Sequence, residues 1–315
     1  MPVTEPAGEF AYLDWVRARI PPHPHVVIGP GDDCAVLAPT RRATVVTTDM
    51  LTEGTDFILA EAGAEAVGAK AMGVNLSDIA AMAAVPTAAV VSLALPDGPD
   101  GRSIGEGLFR GLKRMADRYG VPIVGGDTGT WPGGLVVSVT VVGEVTEKGP
   151  VLRGGAKPGD WLFVTGPLGG SIRGRHLTPT PRVAEALALH RFAGLHALCD
   201  ISDGLAADLG HILTESRCGA ELDAASIPIH PDATAHAAMT GRPPLDHALG
   251  DGEDFELVFA VAPADGARLV EASPVPVWRI GACVGDGLWL RENGGRRTIE
   301  RRGWEHRLGG ASGGR

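Results

Sequence analysis

The alternation of apolar and polar positions divides this chain into short strand-like runs and longer helical ones. Residues 9–20 carry apolar positions at helical spacing and stop at Pro21-Pro22, which predicts an amphipathic helix. Val26-Val27-Ile28 predicts a short strand entering the turn Gly29-Pro30-Gly31-Asp32-Asp33, and residues 34–37 and 43–48 predict two more strands. Residues 62–84 form an Ala-rich helical stretch that is apolar on most sides, yet Asn75, Ser77 and Asp78 are embedded in it. Residues 88–95 are a continuous apolar run and predict a strand. Residues 100–119 give the clearest helix: Ile104, Leu108, Leu112 and Met115 share a face, Asp100 can cap it, and Gly120 with Pro122 stops it. Residues 121–124 and 135–145 predict further strands.

Around residues 146–160 the composition shifts to Gly, Pro and Lys, and the boundary between a domain at 1–147 and a domain at 148–315 is expected there. The second half predicts strands at 161–165, 255–261 and 277–283, helices at 181–192 and 205–215, and a Gly-rich turn at 166–171. After Gly309 the chain is rich in Gly and Ser and is expected to fray. Strands and helices mixed along both halves predict a two-domain α/β (α+β) protein.

Composition narrows the function. At 44% hydrophobic and 21% charged, the chain reads as globular. Its net charge of -10, with no basic stripe, argues against nucleic acid as a partner. A nucleotide remains compatible, because bound metal ions can supply the positive charge. No apolar run reaches membrane-span length and the start lacks a secretory leader pattern, so no membrane partner is expected. Cys34, Cys199, Cys218 and Cys283 are scattered without a Cys-x-x-Cys, which suits free thiols in a reducing cytoplasm and disfavours a zinc site.

Six carboxylates then stand out: Asp33, Asp49, Asp78, Asp127, Asp200 and Asp203. Each sits beside an apolar element and close to Gly, Ser or Thr. Ligands of open α/β folds lie outside the carboxyl ends of strands, and Mg²⁺ takes oxygen ligands from a few carboxylates and substrate phosphates. Thr47 and Thr48 add hydroxyls beside Asp49. Taken singly, each aspartate also reads as turn or cap chemistry; Ser202 and Asp203 in particular are favoured residue types at a helix start. The chain lacks the Gly-x-Gly-x-x-Gly fingerprint, the Gly-x-x-x-x-Gly-Lys-Ser/Thr loop, the protein-kinase signatures and the Gly-x-Ser-x-Gly elbow. Gly252-Glu253-Asp254-Phe255-Glu256-Leu257 places three carboxylates before and inside a strand; a solvated turn is the bland alternative for Glu253 and Asp254. Arg153, beside Gly154-Gly155, can reach a phosphate or serve as a surface charge.

Seven blocks in order resemble thiamine-monophosphate kinase. They are Gly31-Asp32-Asp33-Cys34-Ala35, Thr47-Thr48-Asp49-Met50-Leu51, Asn75-Leu76-Ser77-Asp78-Ile79-Ala80-Ala81-Met82, Gly125-Gly126-Asp127-Thr128, Arg153-Gly154-Gly155-Ala156, Asp200-Ile201-Ser202-Asp203-Gly204-Leu205 and the 252–257 block. The resemblance implies the fold of aminoimidazole-ribonucleotide synthetase, with an N-terminal mixed α/β domain that pairs across a homodimer and a C-terminal α/β domain. It implies ATP-dependent phosphorylation of thiamine phosphate to thiamine diphosphate with several Mg²⁺ ions. By motif, Asp33, Thr47, Thr48, Asp49, Asp78, Asp127, Asp200 and Asp203 become metal ligands, and Asp49, Asp127 and Asp203 the catalytic core. Gly126, Asp127, Arg153 and Ser202 would meet ATP, while Glu253 and Trp304 would meet the thiamine end.

One position departs from the pattern: Gly54-Thr55-Asp56-Phe57 has Asp56 where the family commonly has a substrate-touching His. A carboxylate only accepts hydrogen bonds, so Asp56 would ligate metal or face the cationic thiazolium instead. Two other readings stand beside the kinase: another ATP-dependent enzyme of the superfamily with a changed acceptor, and a catalytically silent nucleotide-binding protein.

Overall fold

The computed structural model describes residues 9–29, 35–300 and 303–304. The chain separates into two compact units. The first comprises Met1–Val151 and Gly174–His190; the second comprises Leu152–Arg173 and Arg191–Arg315. The chain therefore enters the second unit, returns to the first for one excursion, and leaves again.

In the first unit the order is α1 (Glu9–Arg17), β1 (Val26–Ile28), β2 (Val36–Leu37), β3 (Thr44–Thr52), α2 (Leu59–Ala62), α3 (Ala64–Ala81), β4 (Ala84–Pro96), α4 (Gly101–Arg118), β5 (Ile123–Trp131) and β6 (Val136–Val145), with α5 (Val183–Phe192) mostly in the excursion. Its main sheet has four strands in the order β3-β6-β4-β5. Only the β4–β5 pair is parallel. The strands alternate, so Leu51, Val91, Leu93, Val137, Val139 and Val141 turn to one face and are buried there. Helix α3 covers that face, and its all-round apolar character follows from being sandwiched by α4 on its other side. The two helices approach closely enough to require glycine in each: a Cβ on Gly68 would sit 2.2 Å from the Leu108 carbonyl oxygen, and one on Gly111 would sit 1.9 Å from that of Glu65. A β-branched residue at Gly111 would force the pair apart.

The opposite face of this sheet carries Val46, Thr48, Met50, Val90 and Ser92, and no described element of the unit covers it. Val46 and Met50 are 65% and 63% exposed. Antiparallel sheets tolerate one open face when it is polar, but this one mixes hydroxyls with large apolar side chains.

The second unit runs β7 (Trp161–Val164), β8 (Leu195–Asp200), α6 (Leu205–Ser216), β9 (Gly219–Asp223), α7 (Pro231–Thr240), α8 (Pro244–Gly250), β10 (Leu257–Val261), α9 (Pro263–Ala272), β11 (Trp278–Val284), β12 (Leu288–Glu292) and β13 (Gly295–Thr298). A seven-stranded sheet has the order β13-β12-β9-β11-β7-β10-β8, antiparallel except where β9 meets β12. Leu162, Val164, Ala197 and Cys199 pack with Leu205, Leu209 and Leu213 of α6 in one core. On the other face Phe163 and Phe259 stack at 5.5 Å. β8 is an edge strand, so its last residue, Asp200, is delivered to the sheet margin.

Several elements differ from expectation at their ends, and some were not anticipated. The expected helix at 62–84 runs Ala64–Ala81, and the strand expected at 88–95 extends over Ala84–Pro96. Asp100 holds the N-cap position of α4 without a side-chain cap bond. β8, β9, α7, α8, α9, β12 and β13 lack a strong period of their own, and their form is set by the sheet and cores they join. The tail after Gly309 lies outside the described residues. Among the described residues no helix is long and apolar enough to cross a membrane.

Candidate active site

In the first unit, the alternation of β3 decides which hydroxyl joins which carboxylate. Thr47, Asp49 and Leu51 turn toward α3, whereas Thr48 turns to the open face. The Thr47 hydroxyl donates to Asp78 Oδ2 on α3. One turn earlier, buried Asn75 accepts from the Asp49 backbone N–H at 3.1 Å and donates to the Ala71 carbonyl at 3.1 Å. Both partners of the Asn75 amide are thus satisfied, which explains a polar side chain inside an apolar helix. Asn75 registers β3 against α3 so that Asp49 and Asp78 emerge on one side. The Thr48 hydroxyl instead donates to the Val139 carbonyl at 3.1 Å and accepts from Thr140 Oγ1 at 2.9 Å, on the other side.

Asp127 stands elsewhere. It lies on edge strand β5, in register with Ser92, Ser138 and Met50, and so on the open face with Thr48. Its Oδ1 accepts from the Thr128 N–H at 2.9 Å. Three strand spacings of roughly 4.8 Å separate β5 from β3, about 14 Å along the sheet. Within one copy of this unit, Asp49 and Asp78 come together and Asp127 does not join them. Beside β5 a cavity of about 470 Å³ is bordered by Tyr12, Val16, Leu37, Val90, Phe109 and Gly126. Burial pushes the Tyr12 phenol up to about 12, and its hydroxyl donates to the Gly105 carbonyl at 3.1 Å.

Asp56 closes its own turn. Its Oδ2 accepts from the Thr52 N–H at 2.7 Å and from the Thr52 hydroxyl at 3.1 Å. Fully buried Lys70 donates from Nζ to the Asp56 carbonyl at 2.7 Å, which anchors the turn on α3. Asp33 lies outside the described residues.

In the second unit the segment after β8 is a hub. Expected to start a helix, Ser202 and Asp203 instead form the turn before it, and α6 begins at Leu205 behind Gly204 (φ 119°). The cap comes from inside the helix: Asp208 Oδ2 accepts from the N–H groups of Ser202, Asp203 and Gly204, each at 3.0 Å. This lone carboxylate satisfies three otherwise orphaned donors and folds the turn into a cradle. Burial, then the carboxylates of Asp200 and Asp203, push the Asp208 carboxyl up to about 8 despite those hydrogen bonds. Sequence reading missed Asp208; the signal available was a carboxylate in the first turn of an apolar helix.

The same segment gathers the remaining candidates. The Ser202 carbonyl accepts from the Glu253 N–H at 2.7 Å, and the Asp203 carbonyl accepts from the Trp304 N–H at 3.1 Å. The Arg153 guanidinium lies beside the Cys199 thiol, Asp200 and Asp208, which together raise its pKa against the opposing effect of burial. Asp200, Ser202, Asp203, Glu253, Trp304 and Arg153 thus come together around one turn. Asp203, Asp208 and His211 present ligand atoms within 4.8 Å of one another. Carboxylate oxygens crowded enough to raise a neighbour's pKa suit a hard divalent cation, which would relieve their repulsion.

The solvated-turn alternative for Glu253 and Asp254 does not describe Asp254, and Glu256 is buried as well. Asp254 is buried and accepts from the Gly169 N–H, and buried Glu256 accepts from the Thr165 hydroxyl at 2.7 Å. The Gly-rich turn at 166–171 is no phosphate loop either. Asp254 and Asp251 already take the amides of Gly169 and Gly170.

Known proteins resemble this chain in sequence and fold. The family described as AIR synthase related protein matches with its N-terminal domain at residues 31–145 and its C-terminal domain at residues 157–288. A thiamine-monophosphate kinase from Rhodopirellula baltica is 45% identical, covering 90% of this chain and 92% of its own length. The crystal structure of thiamine-monophosphate kinase from Stenotrophomonas maltophilia K279a is 35% identical with a TM-score of 0.76, covering 90% of this chain and 96% of that one. The structure of AaThiL complexed with AMPPCP and TMP is 29% identical with a TM-score of 0.75, covering 95% and 97%.

Proposed function

Because this chain belongs to the AIR synthase related family, and within it to the thiamine-monophosphate kinases, we propose that it transfers the γ-phosphoryl group of ATP to the phosphate of thiamine phosphate, giving thiamine diphosphate and ADP. The observation that carries the reading is the turn at 200–204, whose Ser202 and Asp203 carbonyls accept from the Glu253 and Trp304 N–H groups and so hold both residues beside the segment that carries Asp200 and Asp203. Glu253 and Trp304 bind the thiamine end there, and Asp56 is assigned to the same end of the substrate. Arg153, held fully charged, and Ser202 meet the ATP phosphates, and Gly126 and Asp127 are assigned to ATP as well.

The acceptor is already an anion at neutral pH, so the residues need not remove a proton; they must bring two polyanions into line. Asp33, Asp49, Asp78, Asp127, Asp200 and Asp203, with Thr47 and Thr48, would hold several Mg²⁺ ions, which neutralise and orient the phosphates.

The separation of Asp49 from Asp127 supports a homodimer. Two copies pairing through the open sheet face would cover Val46 and Met50 and set β3 of one beside β5 of the other, bringing Asp127 of one copy to the sheet edge that carries Asp49 of the other. Three buried free thiols, Cys199, Cys218 and Cys283, suit the cytoplasm.

The test is turnover of ATP and Mg²⁺ by the purified chain with and without thiamine phosphate, following thiamine diphosphate by chromatography. Product that requires both substrates is the expected result. ATP cleavage without thiamine diphosphate would overturn the assigned acceptor.

A further inference from the structure

The loop that carries Glu253 is held in a backbone form that its residues do not choose. Gly252 has φ 75°, but Glu253 and Phe255 also lie in the left-handed region, each with φ 52°. Residues with a Cβ avoid this region, and they persist there only where the surroundings over-determine them. The surroundings here are unusually complete. Glu253 N–H donates to the Ser202 carbonyl at 2.7 Å, Phe255 N–H to the Ile201 carbonyl at 2.8 Å, and Ser171 Oγ to the Gly252 carbonyl at 2.7 Å.

Behind the loop stands a chain of polar side chains that no motif announced. The Gly170 N–H donates to Asp251 Oδ2 at 3.1 Å. His247 Nδ1 lies 2.9 and 2.8 Å from the two oxygens of Asp251, and His247 Nε2 lies 2.8 Å from Thr240 Oγ1. His247 has no exposed surface. With both ring nitrogens engaged, its plane and tautomer are fixed, as an orienting group requires. Gly170 cannot relax toward another residue, because a Cβ there would sit 2.4 Å from the Ala233 nitrogen at the start of α7.

His236 has its ring 4.7 Å from that of His247, and His236, His247 and Asp251 offer ligand atoms within 4.8 Å of one another. A metal ion would have to break the His247–Asp251 contact, and Arg242 Nη1 at 3.5 Å already supplies positive charge to Asp251. The geometry favours an orienting chain over a metal centre.

We propose that Asp251, oriented by His247 and Thr240, is a positioning residue for Glu253. By accepting from the Gly170 amide at the position immediately before Gly252, it fixes the left-handed bend that presents Glu253 to the acceptor. This rests on the reading of Glu253 as a contact to the thiamine end. Asp251 acts on acceptor binding and leaves ATP binding alone.

The test compares Asp251→Ala, Asp251→Asn and His247→Phe with the parent in the full-length enzyme. The measurements are KM for each substrate, kcat, and hydrogen exchange of the 252–255 amides. Asp251→Ala and His247→Phe are expected to raise KM for thiamine phosphate about tenfold to a hundredfold, as loss of an orienting partner does, with KM for ATP unchanged and faster exchange at 252–255. Asp251→Asn should recover most of the loss: its oxygen still accepts from Gly170, and its amide can donate to Nδ1 once His247 takes the other tautomer. An unchanged KM for thiamine phosphate in Asp251→Ala, or equal damage to both substrates, would overturn the proposal. A parent enzyme without thiamine-phosphate-dependent turnover would instead sink the functional reading, and exchange at 252–255 would still decide whether Asp251 holds the loop.

Discussion

Asp49 and Asp127 stand on the two edge strands of one four-stranded sheet, three strands apart and on opposite faces. A single copy of the first unit therefore does not bring them to one ion. In the proposed homodimer, a second copy paired across the open face would supply the missing neighbour at the sheet edge. Asp49→Asn and Asp127→Asn are each expected to lower turnover at least about a hundredfold. Mixed dimers of the two variants should regain activity, because one of their two sites then draws the unchanged Asp49 of one chain and the unchanged Asp127 of the other. With random assortment about a quarter of the parent activity returns. Mixtures as inactive as the separate variants would mean that each site is built within one chain.

Asp56→Asn keeps an acceptor for the Thr52 N–H and hydroxyl and removes only the charge. Unfolding should be unchanged. If the carboxylate faces the thiazolium across solvent, KM for thiamine phosphate should rise about fivefold, the scale of an exposed ion pair. Steady-state kinetics with thiamine phosphate varied at saturating ATP measures this, and an unchanged KM would leave Asp56 as a turn former only.

Asp208→Ala removes the acceptor shared by three backbone donors ahead of α6. The expected loss is about 2 kcal/mol or more in urea unfolding, since a helix cap is lost and buried donors are left unmatched. Asp208→Asn, which retains an oxygen at the same place, should lose much less. Equal losses in the two variants would show that charge, and not the cap, is what matters there.

His190 predicts an acid limb in the stability of the first unit. Its Nε2 meets the Gly149 carbonyl at 3.1 Å, and its buried Nδ1 has no hydrogen-bond partner. Burial holds its pKa below the ordinary value; the Gly149 carbonyl opposes that shift, and Lys148 reinforces it. Below about pH 6.5 the unfolded chain therefore binds a proton that the folded site resists. This contribution to stability is intact above about 6.5 and is lost as pH falls through the lowered folded value. His190→Gln, which can still donate to Gly149, should show a smaller drop in Tm between about pH 7.5 and about pH 5 than the parent. Parallel melting profiles would refute the assignment.

The sequence by itself determined the elements with strong periods and the residue types that chemistry requires. The amphipathic stripe of α4 and the apolar run of β4 were legible because burial imposes its period on the side chains of any helix or strand. The aspartate blocks stood out as candidates because metal and phosphate chemistry restricts which side chains can serve. Tertiary structure decided which of those residues meet. Thr47 and Thr48 are neighbours in the chain yet point to opposite faces, because a strand alternates and only the α3 side is packed. Asp208 takes the amides of the turn just before its own helix and Asp251 reaches the distant Gly170 amide; the course of both turns depends on the sheet and helices around them. Glu253 is a carboxylate in any reading of the chain. That it stands in a left-handed bend, tied to Ser202 and buttressed from Thr240, follows from packing contacts between segments that no local pattern encodes.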